Sequence, residues 1–347
     1  MTTHLDDGSV NVRRRPARAI AAAAAALLAA GARPGAAADP APAPGNVYVY
    51  DVSRFRAADP ALLVARTNGT FALTLPAPAG LTARPAGGLV VVGDGRAEFL
   101  APDGAAAGGF EIEGAGRAVA CDPEGRIYVG LRDRVLVFDA EGRELAEWAR
   151  LGERSAVTSL AVGGGEVAIA DAGERAVWFF SREGRLLRRV DGPGTADRDV
   201  PGFLIPSPHF DVVADPDGSW WVVNPGHQRI ERYGADGRFA GAWGQASVRI
   251  DGFGGCCNPT DIARLPDGAF VTSEKGIPRV KIHGADGAFL GVVAGAEAFD
   301  EDVVGLDLAV DAGGRIFVLD PKRRQVRAFV RTKARAADAA TAGEAAP

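Results

Sequence analysis

Residues 211–244 read DVVADPDGSWWVVNPGHQRIERYGADGRFAGAWG. In order they give a short apolar run, a turn ending at Gly218, an aromatic and β-branched run, a polar loop, an alternating run, and a turn at Asp236-Gly237 before a last short run. Short β-branched or aromatic runs bounded by Gly, Pro, Asn and Asp are strand signals, and Asp-Gly is a turn dipeptide. The stretch therefore predicts four strands joined by three turns.

The same unit recurs as DIARLPDGAFVTSEKGIPRVKIHGADGAFLGVVAG from Asp261 and AVACDPEGRIYVGLRDRVLVFDAEGRELAEWARLG from Ala118, with weaker copies over Leu81–Gly114, Ser159–Gly192 and Asp307–Arg331. The glycines ending the first turn are Gly88, Gly125, Gly165, Gly218, Gly268 and Gly314, at spacings that fit one propeller blade plus variable insertions. The expected fold is all-β: a six-bladed propeller of four-stranded antiparallel blades over residues 46–331. The last copy lacks a fourth strand. Asn46–Val52 (NVYVYDV) alternates well and is expected to close the ring as the outer strand of that blade, removing a free edge.

Trp243–Gly287 contains a Trp-Gly, a Gly-Phe, an Asn-Pro, an apolar triplet, a Pro-Asp-Gly and an Arg-Val opening a third strand. This segment resembles the NHL repeat, and the likeness extends over roughly residues 80–331. The resemblance implies a six-bladed propeller. NHL propellers include lyases, scaffolds and binding proteins, so it implies no single activity.

Ahead of the repeats, Arg13, Arg14 and Arg15 precede an Ala/Leu run from Ala19 to Ala30, and Ala36–Ala38 offer a small-residue cleavage point. Residues 1–38 are expected to be an export signal of twin-arginine type, and the mature protein periplasmic or extracellular. The apolar run is too short to span a membrane, and the absence of Cys before Cys121 excludes a lipid anchor at the signal end. Residues 39–45 read as an extended linker and residues 332–347 as a disordered tail.

Composition agrees. Hydrophobic residues at 47% and a mean hydropathy of +0.02 support a packed core, while 46 Gly and 22 Pro suit many short turns. The net charge of −5 becomes −8 once the five Arg and two Asp of residues 1–38 are removed, which argues against nucleic acid and anionic membrane partners. The expected partner is a protein or a small molecule, and the expected state a monomer.

Strands that alternate up and down place the inter-blade connections and the loops between second and third strands on one face. The longest inserts, residues 191–210 and 245–260, are both inter-blade connections, and loops 224–229 and 272–279 join them. That face collects His209, His227, Cys256, Cys257, Asn258, Glu274 and Lys275 as candidate ligand-binding residues.

His209 stands where an innermost strand begins, and a neutral imidazole there can ligate a metal or act as a base. Adjacent Cys256 and Cys257 can close a vicinal disulfide in an oxidising compartment, serving as a rigid plate under a ligand or as a labile switch. They can also join His209 and His227 in an S₂N₂ site for zinc or copper, or stay reduced as structural thiols. Glu274 and Lys275 can meet a charged ligand group or pin their loop, as Asp94, Asp171, Asn224 and Asp320 are placed to do. Arg279, His283, Trp148, Trp243 and Cys121 read as architecture and core. Two functions are expected: a binding scaffold acting through this face, or, as the resemblance to NHL and lactonase-like propellers implies, a metal-dependent lyase or lactonase-like enzyme with zinc or calcium at the channel mouth.

Overall fold

The computed structural model describes residues 55–192 and 202–332. The expected export signal (1–38), the linker (39–45), the strand Asn46–Val52 and the tail beyond 332 lie outside the described residues.

Six antiparallel sheets form the ring. The first blade is built from β2 (Pro78–Ala83), β3 (Leu89–Leu100) and β4 (Ala106–Ala115). In it β3 supplies both middle strands: Leu89–Gly93 pairs with β2, and Arg96–Leu100 pairs with β4, either side of Gly95 at φ +76°. The second blade is β5–β8 (Ala118–Cys121, Ile127–Gly130, Val135–Phe138, Glu144–Glu147) and the third β9–β12 (Val157–Gly163, Glu166–Asp171, Ala176–Ser181, Leu186–Val190). The fourth is β13–β16 (Val212–Ala214, Trp220–Asn224, Arg229–Tyr233, Phe239–Trp243) and the fifth β17–β20 (Asp261–Arg264, Phe270–Glu274, Arg279–His283, Phe289–Ala294). The sixth blade takes β21–β23 (Asp307–Val310, Ile316–Asp320, Gln325–Arg331) and, as its outer strand, β1 (Ala65–Ala72).

All six turn glycines read from the sequence sit at positive φ, between +78° and +91°, where a Cβ is disfavoured. Middle strands such as β14, β18 and β22 are buried along their whole length because neighbouring blades cover both faces. The core is accordingly divided among the blade interfaces: Val271, Val280 and Ile282 of the fifth blade pack with Leu308, Ile316 and Phe329 of the sixth.

The ring is closed by an N-terminal strand, but that strand is Ala65–Ala72, not Asn46–Val52. Ala65 pairs with Arg331 and Ala72 with Gln325, with a bulge at Gly69. Two physical reasons favour it. An outer strand is largely exposed, as the pattern of β1 shows, so polar ARTNGTFA suffices and strong alternation is not required. It also leaves only five residues before β2, a connection of ordinary length.

A recurrent joint identifies β1 as a genuine fourth strand. An outer-strand aromatic lies where a Cβ on a turn glycine of the next blade would project: Phe110 at Gly142, Trp148 at Gly184 and Trp243 at Gly287. Phe71 of β1 meets Gly104 of the first blade in the same way.

Candidate functional site

The inner strands β2, β5, β9, β13, β17 and β21 surround a central channel. Its waist carries Asp211, Asp261 and Asp307, all buried or nearly so. Each carboxylate accepts a hydrogen bond from the backbone of the next blade: Asp211 from Ile262 N at 2.6 Å, Asp261 from Leu308 N at 3.2 Å, Asp307 from Leu81 N at 2.5 Å. Ser159 Oγ continues the series by accepting from Val212 N at 3.4 Å. Four consecutive blade joints are thus fastened by a side-chain acceptor.

Burial raises the pKa of all three acids, Asp211 to about 7 and Asp307 to about 6, and the negative charge of its neighbours pushes Asp261 up further. The three were not singled out from the sequence. The available signal was an Asp seven residues before the turn glycine in three successive copies.

The waist separates two cavities that share Thr158 and the three acids in their walls. One, of about 420 Å³, opens among Pro216, Pro266 and Asp311 on the face of tight turns. The other, of about 240 Å³, opens on the loop-rich face between Arg117, Val157, Pro208, His209, Thr260 and Gly305. His209 is half-buried in that wall. Burial, and next the nearby Lys275 ammonium, lower its pKa to about 4, leaving a neutral imidazole that can donate and accept.

Around this mouth the inserts brace one another. Leu204 N donates to Asn224 Oδ1 at 3.0 Å, and Gly226 N to Leu204 O at 2.9 Å. Gln228 Nε2 donates to Gly255 O at 2.8 Å. Asn258, itself buried, donates to Gly254 O and Lys275 O and accepts from Lys275 N at 2.8 Å. Lys275 Nζ then donates to Ser207 Oγ at 2.7 Å, joining the fifth blade to the insert that carries His209. The structure thus brings His209, Asn258, Lys275 and the cysteine segment into one connected set. His227 stands half-exposed at the end of the single turn Pro225–His227, beside Gln228 in the same loop.

Glu274 is not turned to solvent. It is 1% exposed, and its carboxylate meets Arg279 and the Lys281 ammonium, the latter at 2.7 Å. Lys281 Nζ also donates to Gly252 O at 2.6 Å and lies over the Phe253 ring, so this buried trio holds the 245–260 insert down. Two of the equivalent residues pin loops: Asp171 accepts from Gly173 and Glu174 N in its own loop and from Ala156 N in the preceding connection, and Asp320 accepts from Arg323 N. His283 is buried against Trp243 and Phe253, as a packing residue should be.

Cys256 is exposed, Cys257 is buried, and their sulfurs are 3.0 Å apart as free thiols. Cys121 is distant from them in the second blade, with burial pushing its pKa up to about 12. Among the described residues, no group of three or more His, Cys, Asp or Glu side chains is arranged to hold a metal ion. The two histidines and two thiols therefore do not fit the four-ligand site considered from the sequence. No helix among the described residues is long and apolar enough to cross a membrane.

Comparison with known proteins places the fold. The chain is similar to a streptogramin B lyase structure at 11% identity, TM-score 0.54, over 79% of this chain and 100% of that one. It is similar to virginiamycin B lyase from Staphylococcus aureus at 11% identity, TM-score 0.54, over 77% and 100%. A Bacteroides thetaiotaomicron protein of unknown function aligns at 13% identity, TM-score 0.55, over 77% and 75%. At these identities the likeness is one of fold. No family model matches the chain, and no curated protein does.

Proposed function

We propose that this six-bladed propeller is an exported binding protein of NHL type that takes a small molecule or a protein segment on the loop-rich face of its last three blades. One observation carries the reading: two inter-blade inserts and two loops are tied together around a cavity whose wall presents a neutral, half-buried His209. A pre-braced rim costs little ordering entropy on binding. Export rests on Arg13–Arg15, the Ala/Leu run and Ala36–Ala38. The lyase names of two fold neighbours do not extend to this chain at 11% identity.

The test is a thermal-shift screen of polar small molecules and peptides on the purified protein. We expect hits whose stabilisation is reduced at least tenfold in affinity by His209→Ala and by Lys275→Ala, and unchanged by Arg143→Ala on the face of tight turns. Hits that respond only to the last variant would overturn the reading.

A further inference from the structure

We propose that Cys256 and Cys257 form a two-electron thiol–disulfide switch that resets the loop-rich face, an inference that rests on the binding role assigned to that face. The thiols are already in contact at 3.0 Å, and Cys256 is open to an external reagent. The segment is fixed at both ends: Gly255 is held through Gln228, and Asn258 through Gly254 and Lys275. Movement on oxidation is therefore confined to the peptide between the two cysteines and to whatever is tied to its ends.

Consecutive Cα atoms lie ~3.8 Å apart, below the ~4.4–6.8 Å usual for a disulfide. The eight-membered ring consequently distorts its peptide and is readily reduced, which suits a reversible switch better than a permanent staple. The disturbance has a defined route. Asn258 holds both the N–H and the carbonyl of Lys275, whose ammonium holds Ser207 Oγ, two residues before His209 in the cavity wall. The hydrogen bond to Cys257, and next the repulsion of a Cys257 thiolate, hold Cys256 above the ordinary thiol pKa, while the Lys275 ammonium acts in the opposite sense. Displacing Lys275 thus changes the thiol pair as well as the cavity.

The oxidant is a low-molecular-weight disulfide, RSSR. The Cys256 thiolate attacks one sulfur, forming a mixed disulfide and releasing RS⁻. The Cys257 thiolate then attacks Cys256 Sγ, forming the Cys256–Cys257 bond and releasing the second RS⁻. The two thiol protons pass to solvent and thence to the RS⁻ groups, so two RSH are produced, and the two electrons lost by the cysteines reduce RSSR.

The experiment treats the full, reduced chain with oxidised glutathione, then alkylates it under denaturing conditions and reads the intact mass. We expect alkylation to fall from three sites to one, on Cys121, and to return to three after dithiothreitol. Cys121→Ser should still lose its two remaining thiols, whereas Cys256→Ser and Cys257→Ser should show no internal disulfide. Peptide mapping after an amine-acylating reagent should show Lys275 labelling rising several-fold in the oxidised form. Three alkylatable thiols after treatment, or a glutathione adduct persisting on Cys256, would overturn the disulfide. Unchanged Lys275 labelling would overturn the coupling. Neither readout uses a ligand, so failure of the switch and failure of the binding reading are distinguishable.

Discussion

His209 owes its chemistry to two neighbours of different kinds. The closed wall strips water from the ring, and the Lys275 ammonium adds an unfavourable charge. Both disfavour the imidazolium, so His209 should stay neutral from pH 5 to 8 by NMR, where an exposed histidine titrates near its ordinary 6.5. Lys275→Gln removes the second influence, and the midpoint should rise while remaining below the ordinary value. A midpoint above 6 in the parent protein would remove the neutral imidazole from the site. At this scale the sequence was informative about position and poor about state. It placed His209, Cys256, Cys257, Asn258 and Lys275 on one face, because strand alternation decides that. It left Glu274 open between ligand and loop pin, because burial depends on partners, Arg279 and Lys281, whose approach only the folded blade defines.

The inner strands are elements fastened at their edges, and their fastening titrates. Asp211, Asp261 and Asp307 hold their protons more tightly in the folded than in the unfolded chain. Their contribution is therefore complete below pH ~4 and lost as pH rises through about 6 to 7. His209 and His283 act in the opposite direction, since both are lowered to about 4 and their contribution disappears as pH falls from about 6.5. Three acids outweigh two histidines over the shared range, so the stability these groups supply against urea should be greatest near pH ~4 and fall towards pH ~7. Asp211→Asn should make the fall in stability between pH ~4 and ~7 shallower, by on the order of 1 kcal/mol per pH unit. A pH dependence between pH ~4 and ~7 identical to the parent's would separate the ring of acids from stability. Repeat reading made the blades legible because every copy spells its own turns. The acid ring was harder to see, since its meaning lies in bonds between copies rather than in any one of them.

At the scale of the whole molecule, closure is the feature that sequence reading located at the correct end and on the wrong strand. It followed the better alternation of Asn46–Val52, whereas an exposed outer strand is selected by position and by one anchoring aromatic, Phe71. Phe71→Ala should cost about 1–3 kcal/mol, judged from large-to-small substitutions and its partial burial. Hydrogen exchange should then quicken first at β1 and β23, with the third blade little changed. Uniform acceleration around the ring would mean that the seam is no weaker than any other joint.

β1 and β23 come from opposite ends of the described chain, and the sixth blade is not finished without both. Blades can stack in order as the polypeptide emerges, yet the inner flank of the first stays uncovered until Gln325–Arg331 exist. Maturation is therefore an event in time as well as an arrangement in space. A nascent chain is vulnerable to proteases and to strand capture until the last segment arrives, and it leaves that vulnerable state in one late step.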